Sequence, residues 1–449
     1  MPGLWSRQLF VLYVGPEWRS GGADMSGFSD RTRRLRVTAV TLLVIAGCVN
    51  YLDRSALSVG NLEIRGSLGL SYSQMGLLLS AFAWSYGLAQ IPAGILVDRF
   101  GPRRALGVGL VLWSFAQIAA SFVVSAGQFV VARVALGLGE SPMYIGGTRV
   151  CADWFRARDR ALPISIFNSS SALAPALAPP LLTVLMLAFG WRAMFLIAGV
   201  AGFAVAIAWV ALYRNPGDAG IAPAEIALIH ADDEQTIEHV GIAQVFWLLR
   251  FKTTWGMFLG FVGVIYIFWL YATWLPGYLE GQRHLSIGSA GILSAVPLAA
   301  GFVGSVTGGV ISDQLGKRGI DPGAACRIPI IWGMIGAAVF TVAGALAAQV
   351  WLAIAAMSCG LFCANVASSC GWALAAVVAP SNAVATLEAV QNVGGSIGGT
   401  LAPLITGMVV QRTGSFLPAF VLAGAIGLAS AVVYWAMTTE KIGEGKSSF

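Results

Sequence analysis

Long apolar runs separated by short polar breaks fill the chain from residue 37 to residue 437. A membrane-spanning helix needs about 20 apolar residues in succession, and runs of that length recur along this whole stretch. The runs predict twelve spans, which we number span 1 to span 12 in chain order. They cover residues 37–58, 73–97, 104–125, 128–149, 160–188, 192–213, 255–279, 287–312, 327–347, 350–378, 382–410 and 416–437. The pattern therefore predicts an all-α integral membrane protein with twelve transmembrane helices.

One long polar connection, between spans 6 and 7, divides the chain into two six-helix halves. The predicted organisation is an N-terminal segment at 1–36, a first half at 37–213, a linker at 214–254, a second half at 255–437 and a tail at 438–449. The linker carries Asp232, Asp233 and Glu234 among helix-forming residues, so we expect it to cross the membrane surface as a partial helix. Met25 precedes a basic cluster, which favours Met25 as the natural start, with a longer cytoplasmic tail as the alternative.

Composition and charge exclude several classes of protein. The chain is 57% hydrophobic and 11% charged, whereas a soluble domain carries about 25% charged residues, so a cytosolic enzyme and a disordered chain are excluded. The net charge of +6 comes from basic residues that the predicted spans place almost entirely on one side of the membrane. Four arginines are assigned to the other side, namely Arg65, Arg192, Arg283 and Arg412. Because basic loops stay inside, both termini are predicted to be cytoplasmic in a multi-pass protein of the cell inner membrane, with no nucleic-acid partner.

The distribution of reactive side chains argues against an enzyme. The six cysteines show neither disulfide nor zinc spacing. His230, His239 and His284 all fall in polar connections, and no H-E-x-x-H segment or Walker loop is present. We therefore expect no metal, no cofactor and no enzymatic activity.

Two sequence patterns repeat one half later in the chain. Gly94, Asp98 and Gly101 precede a basic pair after span 2, and the same G-x-x-x-D-x-x-G pattern returns at Gly309, Asp313 and Gly316 after span 8. In span 5, Asn168 precedes a Leu-Ala-Pro triplet, and Asn392 does so at the same interval in span 11. Parallel six-span repeats are typical of transporters whose substrate site lies near the midplane between the halves.

Few ionisable residues fall inside the spans. A charge within the bilayer costs several kcal/mol unless it is paired or solvated, so such residues are functional candidates. Apart from groups at the span ends, they are Asp53, Arg54, Arg133, Glu140 and Glu388. Asp53 and Arg54 are adjacent and point about 100° apart, whereas Arg133 and Glu140 lie two turns apart on one helix face. We expect Asp53, Arg133 and Glu140 to form one charge cluster and Arg54 to be left for the substrate.

The Gly94–Arg104 segment resembles the loop signature of the major facilitator superfamily. Further segments are similar to the anion:cation symporter family, whose bacterial members include galactonate, glucarate and hexuronate transporters. These segments are Asn50–Arg54, Ala81–Tyr86, Arg133–Pro142 and Gln391–Gly395. The resemblance implies a major facilitator fold that carries a small organic anion, such as a sugar acid, by proton-coupled symport with alternating access. It also implies a functional monomer in the lipid bilayer, with the proton as coupling ion and no cofactor.

The resemblance also implies roles for single residues. Arg54 binds the substrate carboxylate, for which a planar guanidinium is well suited, and Tyr86 hydrogen-bonds the substrate beside it. Asp53 and Glu140 carry protons, and Arg133 holds the deprotonated acid. Further substrate-binding candidates are Asn168, Ser171, Trp372, Gln391 and Asn392. A static buried ion pair, or simple helix packing, is the alternative for each of these residues.

Gating and substrate choice leave more alternatives open. Asp98, Arg99, Arg103 and Asp313 are expected to latch neighbouring helices in one state and release them in the other, with a plain topology signal as the alternative. Ser171 and Gly371 depart from the galactonate-type members, which leaves the identity of the anion open. Glu388 could be a third proton site, a substrate ligand or a solvated residue. Proton-driven efflux of a drug-like compound, anion exchange and a non-transporting sensor are the competing functions, and Arg54 argues against efflux.

Overall fold

The computed structural model of the protein describes residues 28–156, 159–229, 242–380, 383–440 and 442. Its first half is built from the helices Asp30–Val59, Asn61–Leu68, Tyr72–Ala120, Ala126–Glu140, Pro142–Trp154 and Ala161–Leu212. The second half is built from Lys252–Gly281, Ile287–Lys317, Pro322–Leu346, Val350–Val378, Val384–Thr413 and Leu417–Met437. Between the halves lie the short helices Pro216–Asp218, Pro223–Ile229 and Ile242–Leu248.

Two of these helices each contain two spans. Tyr72–Ala120 has 49 residues and Ala161–Leu212 has 52, and at a rise of about 1.5 Å per residue each is roughly twice as long as a membrane is thick. Each bends once, at Gly101 (φ 77°) and at Gly190 (φ 79°). Glycine is suited to both bends because positive φ brings no Cβ clash. With these bends, the described helices give twelve crossings, as the hydrophobic pattern predicts.

Both chain termini of the described part lie on the same side of the bundle, as follows from an even number of crossings. We call this the terminal side and the opposite one the distal side. Eight of the described helices are each long and apolar enough to cross a membrane. The other crossings come from the two halves of Tyr72–Ala120, from the interrupted helix at 126–154 and from the second half of Ala161–Leu212.

The linker and the C-terminal segment are each tied to the bundle on the terminal side. The Glu225 carboxylate accepts hydrogen bonds from the Ser29 backbone N–H and the Thr32 hydroxyl at the start of span 1. These bonds hold the pKa of Glu225 below its usual range. The Ile442 N–H donates to the carbonyl of Val378 at the end of span 10. Met25 and the acidic linker residues Asp232, Asp233 and Glu234 lie outside the described residues.

The two halves meet at their distal ends. The Ser58 hydroxyl donates to the carbonyl of Thr273 at 2.8 Å, and the Tyr72 N–H donates to the Gln411 side chain at 2.9 Å. The backbones also come very close, since a Cβ added to Gly407 of span 11 would lie 2.5 Å from the Tyr72 carbonyl oxygen. The structure is therefore closed on the distal side.

Candidate functional site

Span 4 is interrupted beside its buried carboxylate. The helix Ala126–Glu140 ends at Glu140, and the next helix begins at Pro142. Proline has no N–H to bond the carbonyl of Leu138 four residues earlier. The Ser141 hydroxyl donates to that carbonyl instead, at 2.8 Å. The Glu-Ser-Pro sequence thus produces a local break while leaving no backbone acceptor without a partner.

Glycines allow this part of span 4 to pack closely against spans 2 and 3. A Cβ on Gly137 would lie 2.7 Å from the Phe82 carbonyl oxygen, and one on Gly139 would lie 2.6 Å from the Trp113 nitrogen. Side chains at these positions would force the helices apart. The close packing places Glu140 next to span 1, where its carboxylate is fully buried.

Arg54 and Glu140 form a buried ion pair. The Arg54 Nε donates to Glu140 Oε2 at 2.7 Å, and the two side chains are 7% and 0% exposed. Aromatic rings surround the guanidinium, whose Cζ lies 4.9 Å from the ring centroid of Tyr51 and 4.7 Å from those of Phe82 and Tyr86. Rings at this distance attract a cation through their electron-rich faces. The second oxygen of Glu140 and one terminal nitrogen of Arg54 have no hydrogen-bond partner among the described residues.

Asp53 and Arg133 lie beside this pair without forming one of their own. Asp53 is fully buried, and neither carboxylate oxygen has a hydrogen-bond partner in the described part of the chain. Arg133 is 3% exposed, and its Nη1 donates to the Asp53 backbone carbonyl at 3.4 Å. The sequence predicts that Asp53, Arg133 and Glu140 cluster, and the structure adds Arg54 to the same cluster as the partner of Glu140. Arg54 is not left free, because its long side chain reaches across to the Glu140 carboxylate of span 4.

A cavity between the two halves adjoins this cluster. Its walls include Arg54 and Arg133, hydroxyl and aromatic side chains from spans 1 and 7, and apolar side chains from spans 2, 5 and 8. Trp269 of span 7 lines it and also contacts the first half, with its ring centroid 6.4 Å from that of Phe82. Two buried guanidinium groups in a cavity between two helical halves can bind an anion. They can exchange one anionic partner for another when the halves move.

The family model of the Major Facilitator Superfamily matches residues 43–320 of this chain. The chain belongs to the Major Facilitator Superfamily. It is therefore a membrane transporter, and the fold and family predicted from the sequence are confirmed.

Relatives within the superfamily align over nearly the whole chain. A probable L-galactonate transporter of Escherichia coli (strain K12) is 39% identical over 417 residues, which are 93% of this chain and 92% of that protein. The probable galactarate/D-glucarate transporter GarP of the same strain is 32% identical over 418 residues, which are 89% of this chain and 94% of that protein. A solved structure shares the fold, namely a bacterial homolog of the human lysosomal transporter Spinster, inward-facing and unoccupied. Its TM-score is 0.73 at 19% identity, with 90% of this chain and 95% of that chain covered.

The other predicted substrate ligands of this superfamily member occupy different environments. Tyr86 is half-buried beside Arg54, whereas Asn168, Asn392 and Trp372 are exposed. The Ser171 hydroxyl donates to the carbonyl of Asn168. Gln391 is fully buried, and its amide has no hydrogen-bond partner among the described residues. The structure thus brings Tyr86 to the charge cluster, while Gln391 packs inside the second half.

The two unusual positions of the second half also have defined surroundings. Glu388 is half-buried in span 11. A Cβ at Gly371 would lie 3.3 Å from the ring of Phe261, in tight contact with span 7. Trp372 meets the same ring edge-to-face at a centroid distance of 5.2 Å. Glycine at 371 therefore leaves room for Phe261 beneath Trp372.

The predicted gating residues lie on the terminal side and are largely exposed. Asp98 pairs with Arg149 at 3.1 Å, and Arg149 also binds Asp153 at 2.8 Å. Arg103 donates to the carbonyl of Val210. Arg99 and Asp313 make no ion pair within the described ranges, and Arg99 lies against the ring of Phe100. The sequence analysis did not identify Arg149 as the partner of Asp98. Its position four residues before Asp153, on the same helix face, is a spacing that predicts an ion pair and could have drawn attention to it.

Sequence reasoning also missed most of the aromatic side chains around Arg54. Tyr51 lies in the Asn50–Arg54 segment, one turn before Arg54, and this spacing could have identified it. Phe82 lies in the Ala81–Tyr86 segment, one turn before Tyr86, and could have been identified in the same way. Trp269 gave no such signal, because aromatic residues are frequent throughout the chain.

The described residues show no cluster of three or more His, Cys, Asp or Glu side chains that could hold a metal ion. The segment Gly394–Gly398 has the G-x-S-x-G pattern of hydrolases. It lies within the helix Val384–Thr413, however, and the Ser396 hydroxyl donates to the carbonyl of Asn392. That serine is part of a helix and not of the sharp strand-to-helix turn that such hydrolases require.

Proposed function

We propose that this transporter carries a sugar acid or a similar small carboxylate together with protons. The observation that supports this most strongly is the buried Arg54–Glu140 pair in a cavity between the halves. A guanidinium in such a place offers a planar double donor that matches a carboxylate. The relatives named as galactonate and galactarate/glucarate transporters support the same class of substrate.

The positive-inside pattern supports a position in the cell inner membrane with both termini cytoplasmic. The terminal side is then the cytoplasmic side, and closure of the distal ends makes this the inward-facing state. Transport proceeds when the halves rock so that the cavity opens alternately to the two sides. A single chain contains both halves, so we propose that the monomer in the lipid bilayer is the working unit.

The pairing of Arg54 supports a simple coupling step. While Glu140 is ionised, it occupies the guanidinium that the substrate needs. A proton on Glu140 removes the negative charge and frees Arg54 to bind the substrate carboxylate. Neither carboxylate oxygen of Asp53 has a hydrogen-bond partner among the described residues, which is the environment expected of a proton-carrying site. Arg133 lies nearest to Asp53 and stabilises its ionised form in the other part of the cycle.

Coupling requires that the substrate prefer the protonated transporter, since a ligand with equal affinity for both states shifts no equilibrium. Competition between Glu140 and the substrate for Arg54 provides this preference. In this proposal Tyr86, Asn168, Ser171, Trp372, Gln391 and Asn392 contact the sugar-acid hydroxyls as the halves close around the substrate. Asp98 with Arg149, and Arg99, Arg103 and Asp313, act at the cytoplasmic ends as gates.

Uptake by proteoliposomes tests this function. We expect an inward acid gradient to drive accumulation of at least one six-carbon acid from a panel of aldonic, aldaric and uronic acids. Arg54→Gln should abolish it, and Arg54→Lys should reduce it by at least about tenfold, because the lysine keeps the charge but not the fork. Arg412→Gln is the matched control at an exposed arginine and should leave uptake unchanged.

Two results would overturn the proposal. One is a panel in which no carboxylate moves although the purified protein is folded. The other is uptake that survives Arg54→Gln, which would favour efflux of an apolar compound as the function.

A further inference from the structure

The cavity between the halves continues from Arg54 toward the closed distal ends. In this part its walls carry the hydroxyl side chains Ser55, Ser58 and Thr273, and also Arg133. The distal contacts between Ser58 and Thr273 and between Tyr72 and Gln411 close this part from the distal side. The cavity thus has two guanidinium groups, of which only Arg54 has been given a role toward the substrate.

Arg133 is buried beside the carboxylates of Asp53 and Glu140, but it forms no ion pair of its own among the described residues. It is 3% exposed, and its one hydrogen bond in the described part of the chain is a long one, 3.4 Å, to the backbone carbonyl of Asp53. Its Nε has no partner there, and no carboxylate lies within ion-pair distance of it. Guanidinium N–H groups that are buried without a bonded partner are costly, and this favours binding of an anion. The group therefore has the properties of an anion-binding residue, and it lines the same cavity as Arg54.

The two guanidinium groups are close enough to hold one small molecule. Both lie against the ring of Phe82, with the Arg54 Cζ 4.7 Å and the Arg133 Cζ 5.4 Å from its centroid. The two Cζ atoms are consequently at most about 10 Å apart. The terminal carbons of an extended six-carbon diacid are roughly 6 Å apart, given five carbon–carbon bonds of about 1.5 Å each. One carboxylate can thus bind Arg54 while the other binds Arg133.

We propose that Arg133, with the hydroxyl of Ser55, forms a second anion subsite that takes the distal carboxylate of an aldaric diacid. This inference rests on the proposed function, because it assumes that Arg54 binds the first carboxylate. It adds that the site selects diacids over the corresponding monoacids. Asp53 then has a second role, because its ionised carboxylate competes with the substrate for Arg133 as the Glu140 carboxylate competes with the substrate for Arg54. Two protons thus free two guanidinium groups for two carboxylates.

The test compares galactarate with L-galactonate, which differ only in whether the sixth carbon is a carboxylate or an alcohol. Each is measured in substrate exchange at equal pH on both sides of proteoliposomes, so that no proton gradient is needed. The quantity of interest is the ratio of the half-saturating concentrations for the two acids. We expect Arg133→Gln to raise the galactarate value relative to the L-galactonate value by about tenfold or more, which is the loss of one charge-assisted hydrogen bond.

Arg133→Lys is the second variant, for use if the glutamine variant does not fold. It keeps the charge and loses the fork, and we expect a shift of the ratio in the same direction by a few-fold. A residue that only holds Asp53 would shift both acids equally and leave the ratio unchanged. An unchanged ratio, or wild-type protein that exchanges L-galactonate but not galactarate, overturns the subsite and leaves the proposed function standing. Wild-type protein that exchanges no carboxylate overturns both.

Discussion

Spans 2 and 11 approach each other so closely that a side chain at Gly407 should destabilise the distal-closed state. Gly407 of span 11 lies against Tyr72 and Gly76 of the other half. A Cβ at Gly407 would lie 2.5 Å from the Tyr72 carbonyl oxygen and 3.0 Å from the Gly76 Cα, both of which are backbone atoms that cannot rotate away. Gly407→Ala should therefore strain the distal-closed state. It should not strain a state in which the halves are apart on that side.

The size of the effect follows from the overlap. An ordinary Cβ contact lies at 3.4–4 Å, so the halves must separate by roughly 1 Å at this point. Forcing an extra methyl group into a well-packed interface costs about 1–3 kcal/mol. The ratio of distal-open to distal-closed protein should therefore rise about 5- to 150-fold.

Electron–electron distance measurements between two spin labels report this ratio directly. Labels at Gly66→Cys and Arg412→Cys lie on exposed positions at the distal ends of the two halves, in a background without the six native cysteines. We expect Gly407→Ala to enlarge the long-distance population at the expense of the short one. Gly127→Ala is the control, because a Cβ there meets nothing within 4 Å. A folded Gly407→Ala protein with the same distance distribution as its parent would refute the reasoning.

Two further predictions concern the terminal side. The hydrogen bond from the Ser29 N–H lowers the pKa of Glu225 in the folded protein. The bond to ionised Glu225 therefore stabilises the folded state fully above the ordinary pKa of 4.5. This stabilisation is lost as the pH falls through the lowered pKa of the folded state. Glu225→Gln should thus lower the melting temperature at pH 7, and the melting temperatures of the variant and the wild type should converge in acid. Equal melting curves at pH 7 would contradict this. The Asp98–Arg149 pair is 73% and 48% exposed, so Asp98→Asn, which leaves the Arg149–Asp153 pair in place, should cost at most about 1 kcal/mol. A larger loss of unfolding free energy in chemical denaturation would contradict this.

Much of the architecture can be predicted from the sequence because the membrane imposes it. Each span must satisfy its own backbone within the bilayer, so length and hydropathy alone give the twelve crossings. The bends at Gly101 and Gly190 fall between predicted spans, where the polar breaks lie. The clustering of Asp53, Arg133 and Glu140 is predictable for a similar reason, since a lone charge in a span is too costly.

The pairing inside the cluster could not be predicted in the same way. Helix geometry shows that Asp53 and Arg54 diverge, but it does not show which of them reaches span 4. That depends on how closely Gly137 and Gly139 let span 4 approach its neighbours, which is a property of packing between helices. The burial of Gln391 and the position of Arg133 along the distal cavity depend likewise on the rotation of whole helices. Sequence spacing does not determine those rotations.

The central claim is that protons on buried carboxylates drive the movement of a carboxylate substrate. It is tested most directly by measuring, in the same proteoliposomes, exchange of a transported sugar acid at equal pH and its accumulation under an inward acid gradient. Asp53→Asn imitates a permanently protonated residue, and Asp218→Asn is the control at an exposed linker position. The account predicts that Asp53→Asn keeps exchange but loses gradient-driven accumulation, while the control retains both. Full accumulation by Asp53→Asn, or accumulation by the wild type without a gradient, would contradict it.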